Sequence, residues 1–326
     1  MKTSAKILNY LKSKRQADGN DLAHYLEISP RGVRKQLKNL LDKGKITKIG
    51  KPPKVFYLIK EETSKDETIE IDPEIEKIIN ERFLFVSPTG KREEGFEGFI
   101  HWCRKTKQPL QKTAKEYLKA LEKYDFFRKK IYGNLIDGTD KIETTFQKSY
   151  LDKLFYVDFY SIERFGKTKL GQLLLYAKQS QNRTLMKELT KEVKIKINFI
   201  LKKYKIDGVG FVPPTVKREI QFIRELEKNL SLKKRKISIV KVKTDIIVPQ
   251  KTLNKLPDRV ENAKKTFVVD ENNEYKNILL IDDAVGSGAT LNELASQMKT
   301  RKICRGKIIG LSITGSFKGF DVISEV

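Results

Sequence analysis

The sequence predicts a multidomain α/β protein, with a small α+β domain at the N-terminus, a mainly helical middle region and a C-terminal α/β domain with a mostly parallel sheet. Three observations predict this order. The first 60 residues contain stretches of helical periodicity followed by two strand-like runs. Residues 61–74 are acidic and contain Pro73, a composition typical of a linker. From about residue 205 onward, short apolar runs alternate with helical stretches, which favours a parallel sheet.

The N-terminal domain is expected over residues 1–60. Apolar residues at helical spacing predict a first helix near the start of the chain and a short second helix over 21–27. Ser29 is a favourable N-cap and Pro30 suits the first position of a third helix, which is predicted to end near Lys43. The run KITKIGKPPKVFYLI then indicates two strands joined by a basic turn.

This N-terminal stretch is strongly cationic, with 15 Lys and Arg residues against 4 Asp and Glu residues. The arrangement of helices and hairpin resembles bacterial winged helix-turn-helix regulators. The resemblance implies that the third helix enters the major groove of DNA and that the hairpin contacts phosphates. The alternative is a winged helix used for protein contacts. The predicted DNA-binding residues are Arg31, Arg34, Lys35, Lys38, Lys51 and Lys54.

Composition narrows the class of protein. The chain is 39% hydrophobic and 33% charged, which is typical of a globular protein, and its net charge of +25 favours polyanionic partners. The two cysteines, Cys103 and Cys304, have no paired spacing, which argues against a disulfide framework or a cysteine-based zinc site. No apolar run approaches ~20 residues, and a signal peptide is not recognisable. We therefore predict a cytoplasmic protein without a membrane partner.

Residues 75–150 form the expected middle region, for which the sequence predicts mainly helices. Aromatic residues suited to a core are frequent there, but reaction chemistry is not evident. His101 lies beside Trp102 and Cys103, yet a lone histidine is more often packed or at the surface than catalytic. The region is expected either to orient the two ends of the chain or to form a dimer interface.

The chemistry is concentrated in residues 151–326. Ile278 to Ile281 form an apolar run of the buried-strand type, followed by Asp282 and Asp283 and then by a glycine-rich turn. A helix is predicted from Leu291. Backbone N–H groups of a small-residue turn at the start of a helix can bind a phosphate. Two carboxylates directly before the turn can accept hydrogen bonds from the 2′- and 3′-hydroxyls of a ribose.

The turn differs from other phosphate-binding loops. The Gly-Lys-Ser/Thr ending of a Walker loop is missing, and the acids precede the glycines, unlike in a dinucleotide fold. The stretch ILLIDDAVGSGAT resembles the loop of type I phosphoribosyltransferases that binds phosphoribosyl pyrophosphate (PRPP), with Gly286 and Ser287 where that family usually has two threonines. The resemblance implies PRPP or nucleotide binding, with Mg²⁺ held by the ligand rather than by direct protein ligands. It implies ligand contacts from Asp282, Asp283, Ala284, Val285, Gly286, Ser287, Gly288, Ala289 and Thr290.

The neighbouring segments agree with that family. A strand at 209–212 ends at two prolines, and a helix is predicted directly after them. Further strands are predicted at 237–242 and 307–313. In the phosphoribosyltransferase fold the loop after the first strand faces the pyrophosphate. This implies contacts from Pro214, Thr215, Lys217 and Arg218.

Within this family the chain is most similar to ComF-type competence proteins, over residues 151–326. Gln250, Arg259 and Asn262 match a motif of that group, and residues 171–205 resemble its helical hood. Such proteins usually begin with a four-cysteine zinc finger, which this chain lacks. The resemblance implies that Arg259 and Lys251 lie on a mobile flap and neutralise the leaving pyrophosphate.

The sequence leaves three functions open. The chain would be a ligand-responsive DNA-binding regulator, an active phosphoribosyltransferase of nucleotide salvage that releases pyrophosphate, or a ComF-like factor of DNA uptake or processing. A salvage enzyme has no evident need of a DNA-reading domain, so the fusion favours the first and third. A regulator that reads symmetric DNA sites is expected to be a homodimer.

Overall fold

A computed structural model describes residues 2–60, 71–242 and 248–317, and the chain forms two compact units, Met1–Glu70 and Ile71–Val326. Within the first unit, a three-stranded antiparallel sheet has the order β1-β3-β2. The elements of this unit are α1 (Thr3–Lys14), β1 (Ala17–Asp18), α2 (Gly19–Leu26), α3 (Pro30–Asp42), β2 (Ile46–Lys51) and β3 (Lys54–Ile59).

Local sequence explains the helix boundaries of the first unit. Asp18 and Asp21 form a capping box at the start of α2, and the Ser29 hydroxyl accepts a hydrogen bond from the Gly32 N–H at the start of α3. The helices pack against the hairpin through a small apolar core that includes Ile7, Leu22, Val33, Leu37 and Ile46. The helices and the hairpin occur in the predicted order.

The second unit contains nine described α-helices. They are α4 (Pro73–Arg82), α5 (Gly95–Lys105), α6 (Leu110–Asp125), α7 (Thr139–Thr145), α8 (Lys169–Gln179), α9 (Arg183–Lys203), α10 (Phe222–Leu230), α11 (Leu256–Thr266) and α12 (Ala289–Thr300). Short 3₁₀ turns lie at Lys130–Tyr132, Glu163–Phe165 and Gln250–Thr252.

The strands of the second unit are β4 (Leu84–Val86), β5 (Arg92–Glu94), β6 (Arg128–Lys129), β7 (Leu135–Asp137), β8 (Lys153–Phe159), β9 (Gly208–Phe211), β10 (Arg235–Ile237), β11 (Ile239–Lys241), β12 (Phe267–Val269), β13 (Ile278–Val285) and β14 (Ile308–Gly315). Seven of them form one sheet with the order β10-β9-β13-β14-β8-β7-β6. The first five strands of that order are parallel, and β7 and β6 extend the sheet antiparallel. The predicted mostly parallel sheet is therefore confirmed.

Helices cover both faces of the sheet. One face packs against α8, α9 and α10, with Leu173, Ile197 and Leu226 fully buried, and the other packs against α12 and the helices of the middle region. Strands covered on both faces are apolar throughout, which explains the run ILLI in β13. The segment compared with a helical hood, residues 171–205, provides α8 and α9 on the first of these faces.

The middle region differs from the mainly helical segment expected over 75–150. It contains four helices, but β6 and β7 join the large sheet, where Leu135 and Ile136 are fully buried. These strands are two and three residues long, too short to show a periodicity of two. Residues on both sides of position 150 belong to the same compact unit, Ile71–Val326. Helix α4 begins at Pro73, within the expected linker, and residues 61–70 lie outside the described part.

The chain changes direction within the sheet between β9 and β13. From β9 it continues to β10 on one side, whereas from β13 it continues to β14 on the other side. Connections that diverge in this way leave a crevice at the carboxyl ends of the two strands, where α/β proteins bind ligands. We therefore expect a ligand site at the loops that follow β9 and β13.

Candidate functional site

A cleft opens at the carboxyl ends of β9 and β13. The loops after the two strands face each other across it, and α8 and α11 contribute one cationic side chain each, Lys178 and Arg259. The predicted ligand-binding residues that line this cleft are Pro214, Thr215, Arg218, Gln250, Arg259 and residues 282–290. Lys217 and Asn262 do not line it, and the side chain of Lys251 lies outside the described part of the structure.

The loop after β13 leads directly into α12. Gly288 has a φ of 86° and occupies the N-cap position, so α12 begins at Ala289, slightly before the predicted Leu291. Gly288 has no side chain that could cap this helix, and the Ser287 hydroxyl accepts the Ala289 N–H over 3.4 Å. The first N–H groups of a helix lack intrahelical acceptors, and the helix dipole favours an anion there. The end of β13, the loop and the first residues of α12, which together make up residues 284–290, line the cleft at this point.

Gly288 is the conformationally demanding residue of this loop. A Cβ atom at this position would overlap the side chain of Ile142 in α7, and the positive φ disfavours any L side chain. We expect Gly288→Ala to lower the free energy of unfolding by roughly 1–3 kcal/mol and to weaken phosphate binding. Thermal denaturation and phosphate titration measure the two effects. Gly90→Ala is the matched control, since Gly90 has a φ of 78° but open space around it.

The two carboxylates at the end of β13 are held differently. The Asp283 N–H donates to Asp282 Oδ1 over 2.7 Å, and Lys178 Nζ lies 3.1 Å from Asp283 Oδ2. Burial and the adjacent Asp283 charge raise the pKa of Asp282 to about 8. Both effects favour the protonated form of Asp282. Lys178 was not anticipated from the sequence, because it lies on α8, far from the motif along the chain.

Arg259, Gln250 and Asn262 are organised by hydrogen bonds around α11. Arg259 Nε donates to the Leu253 carbonyl over 2.7 Å, and Gln250 Nε2 donates to the Arg259 carbonyl over 2.9 Å. Asn262 Nδ2 donates to the Val248 carbonyl over 3.3 Å. These bonds fix residues 248–253 against the helix. Arg259, which the resemblance places on a mobile flap, belongs to α11 and is only 4% exposed. Its place on a flap stays a prediction.

Arg259 is unusual among the buried polar side chains. Burial lowers the pKa of its guanidinium, and among the described residues a carboxylate partner for it is not found. A buried cation without a partner is costly unless an anion completes the site. Because Arg259 lines the cleft, its guanidinium is available to an anionic ligand there.

The loop after β9 has a different structure from that predicted. The prediction of a helix directly after the two prolines, over Lys217 and Arg218, was wrong, since α10 begins at Phe222. Gln221 Nε2 donates to the Val216 carbonyl over 3.1 Å, and Gln181 Oε1 accepts the Ile220 N–H over 2.7 Å. These side-chain bonds hold the segment as an irregular loop. Arg218 and Gln221 still reach the cleft, whereas Lys217 is exposed.

Four cationic residues of the first unit lie on one face of α3. Val33, Leu37 and Leu40 on its opposite face are buried. The geometry leaves that cationic face open to solvent, as a recognition helix requires. The exposed predicted residues are Arg31, Arg34, Lys35, Lys38 and, on β3, Lys54. The side chain of Lys51 lies outside the described part.

The described residues show neither a membrane-spanning helix nor a metal-binding cluster. Of the helices in the described ranges, none is long and apolar enough to cross a bilayer. Groups of three His, Cys, Asp or Glu side chains close enough to hold a metal are likewise not found in those ranges. Cys103 and Cys304 are both buried free thiols, and burial raises the pKa of each.

Comparison with known proteins supports the assignment of the first unit. Residues 5–55 match the family model described as FeoC like transcriptional regulator. No curated protein matches the chain. The match covers α1 to the start of β3, so the winged-helix prediction is confirmed for the N-terminal unit. The resemblance of residues 151–326 to phosphoribosyltransferases stays a prediction. The N-terminal unit of this chain is thus similar to FeoC-like winged-helix transcriptional regulators.

Proposed function

We propose that this chain is a DNA-binding regulator whose second unit binds PRPP with Mg²⁺, or a related nucleotide, in the cleft between β9 and β13. One observation supports this most strongly. The N-terminus of α12 and the Asp282–Asp283 pair line the same cleft, at the point where the sheet changes direction. A phosphate site beside two carboxylates matches the two ends of a ribose 5-phosphate.

The proposed ligand occupies the cleft in one orientation. Its 5′-phosphate accepts hydrogen bonds from the N–H groups of residues 286–290, and its ribose hydroxyls donate to Asp282 and Asp283. The pyrophosphate then points towards the loop after β9 and towards Arg259. Carboxylate oxygens are of the type that Mg²⁺ accepts, but we assign the metal to the pyrophosphate and ribose oxygens. When bound, Mg²⁺ neutralises charge on the pyrophosphate.

The raised pKa of Asp282 makes ligand affinity depend on pH. Ribose hydroxyls need an ionised acceptor, so affinity rises from pH 7 to pH 9 as Asp282 loses its proton, by about tenfold for a pKa near 8. In the free protein the free energy of unfolding changes in the opposite direction, because it falls as the pH rises. Asp282 stabilises the fold fully below its unfolded pKa, and this contribution is lost as the pH rises through about 8. Calorimetric titration at each pH measures the affinity, and Asp282→Asn is expected to give a flat profile.

The first unit binds DNA through α3 in this proposal. We expect Arg34→Ala with Lys38→Ala to weaken binding to a selected duplex at least tenfold, and to lower the slope of log affinity against log salt by up to about 2. Fluorescence anisotropy with labelled duplex measures both. Lys112→Ala with Lys115→Ala removes the same charge from the exposed face of α6 and serves as the control. Equal affinities for the two variants would contradict a DNA-binding role of α3.

The regulatory role is tested by measuring whether PRPP changes the affinity of the protein for DNA. A duplex selected from a random library should bind well above random DNA, and saturating PRPP with Mg²⁺ should shift that affinity. The coupling free energy of regulators is typically 1–3 kcal/mol, equivalent to about 5–150-fold. A selected duplex whose affinity is unchanged by PRPP argues against regulation. Binding without sequence preference would favour the DNA-processing function instead.

An active phosphoribosyltransferase is the second candidate, and the position of Arg259 favours it. A buried guanidinium at the pyrophosphate end of the cleft would stabilise charge on the leaving group as the bond to C1′ breaks. The nitrogen of an acceptor base would displace the pyrophosphate. Release of pyrophosphate from PRPP in the presence of a panel of bases is the test, and Asp282→Asn with Asp283→Asn is the inactive control.

A further inference from the structure

A cationic surface lies at the opposite edge of the large sheet from the cleft. Parallel strands all begin at this edge, and the residues that precede or begin β9, β10, β13 and β14 are rich in lysine and arginine. We call this surface the amino edge. Its exposed cations are Lys205, Lys233, Lys234, Arg235, Lys276, Arg305 and Lys307.

Hydrogen bonds join these loops into one continuous surface. Asp207 accepts the N–H groups of Lys276 and Asn277 over 3.0 and 2.8 Å. Asn277 Oδ1 accepts the Lys307 N–H over 2.9 Å, and Asn277 Nδ2 donates to the Tyr204 carbonyl over 2.9 Å. Because β10, β9, β13 and β14 are neighbours spaced by about 4.8 Å, the joined loops extend over roughly 15 Å.

The charge of the amino edge is only partly neutralised. Arg235 pairs with Asp207 at 3.3 Å, and Arg305 pairs with Glu274. Among the described residues, carboxylate partners are not found for the five lysines of the surface. Lys205, Lys233 and Lys234 follow the C-termini of α9 and α10, where the helix dipole favours a cation. Lys276 lies between two strands and Lys307 lies well beyond the end of α12, so helix dipoles do not explain the charge at these two positions.

The chemistry of the surface suits phosphates rather than bases. Tyr275 is only 2% exposed and lies beneath the Arg235 guanidinium, 4.2 Å from it, and Tyr204 is partly buried. Proteins that bind single strands present exposed aromatic rings on which bases stack. Lysines without such rings bind the phosphate backbone, and phosphates recur about every 3.4 Å along each strand of a duplex.

We propose that the amino edge is a second DNA-binding surface, which contacts the backbone of duplex DNA without sequence preference. The choice of duplex DNA rests on the proposed DNA-binding function of the winged helix. The surface itself rests on the lysines and loop contacts of the second unit, so it can be tested separately.

The test compares four full-length proteins in their binding of a labelled random-sequence duplex at 50–300 mM salt. The edge variant combines Lys233→Ala, Lys234→Ala, Lys276→Ala and Lys307→Ala. The control variant combines Lys77→Ala, Lys112→Ala, Lys115→Ala and Lys119→Ala, which removes the same charge from exposed positions on α4 and α6. The third protein is Arg34→Ala with Lys38→Ala, and the fourth is the unchanged chain.

We expect the edge variant to bind roughly tenfold or more weakly at 50 mM salt, with a salt slope lower by about 3–4, at about 0.9 for each lost phosphate contact. The control variant should bind as the unchanged chain does. An edge variant equal to the control in affinity and slope overturns the proposal, as does an effect confined to single-stranded DNA. If Arg34→Ala with Lys38→Ala has no effect while the edge variant loses binding, the winged-helix function fails and the amino edge stands. Circular dichroism and thermal denaturation verify that each variant is folded.

Discussion

Asp282→Asn with Asp283→Asn is expected to abolish measurable PRPP binding while the protein stays folded. Each carboxylate, once ionised, would accept a charge-assisted hydrogen bond from the ribose, at about 1.5–3 kcal/mol per bond. Loss of both should weaken binding by roughly 10²- to 10⁴-fold. The fold should tolerate the change, because Asp282 has a raised pKa and asparagine matches a protonated carboxyl in shape. Calorimetric titration with PRPP and Mg²⁺ measures the affinity.

Two controls make this result specific. Asp140→Asn with Asp270→Asn removes the same charge at exposed positions outside the cleft and should bind PRPP normally. The double mutant removes the ion pair between Lys178 and Asp283. Comparing Asp283→Asn with Lys178→Met plus Asp283→Asn therefore tests whether loss of this ion pair by itself disturbs the cleft. If the double aspartate variant binds PRPP as tightly as the unchanged chain, the assignment of the ribose site is wrong. If the unchanged chain does not bind PRPP, nucleoside monophosphates become the ligands to test.

Local sequence predicted those parts of the fold that are determined by neighbouring residues. The cap at Ser29, the apolar strand before Asp282 and the glycine at the start of α12 each act over a few residues, and all are present as expected. The prediction of a helix over Lys217 and Arg218 was wrong because a residue distant in the sequence determines the structure of this segment. Gln181, far along the chain, binds that segment and replaces the helical hydrogen bonds.

The candidate site was only partly predictable for the same reason. Asp282 and Asp283 belong to a contiguous motif, whereas Lys178 reaches them only because α8 packs against the sheet next to β13. Strands β6 and β7 are stabilised by their neighbours in the sheet and contain too few residues for a periodic pattern. The lysines of the amino edge are scattered along the sequence, and parallel strand order brings them together. Each missed feature depends on tertiary contacts that one sequence does not encode as a pattern.

Arg259→Met is expected to leave the free energy of unfolding unchanged or slightly higher while it weakens PRPP binding. A methionine fills a similar volume without a buried charge, and replacing buried ionic groups by apolar ones is often neutral or stabilising. The cost is one hydrogen bond, from Nε to the Leu253 carbonyl, at about 1 kcal/mol. The loss of a charge-assisted contact to pyrophosphate should weaken PRPP binding by roughly 10- to 100-fold.

The choice of ligands separates a pyrophosphate contact from a structural role of Arg259. Inorganic pyrophosphate and PRPP should both bind the variant more weakly, whereas ribose 5-phosphate should bind both proteins alike, because its groups lie at residues 282–290. Denaturant unfolding gives the stability in parallel. A variant that is several kcal/mol less stable but binds PRPP normally would assign Arg259 to fixing residues 248–253 against α11. Weaker binding of inorganic pyrophosphate and PRPP, with unchanged binding of ribose 5-phosphate, would identify the buried Arg259 guanidinium as a group that binds pyrophosphate in the cleft.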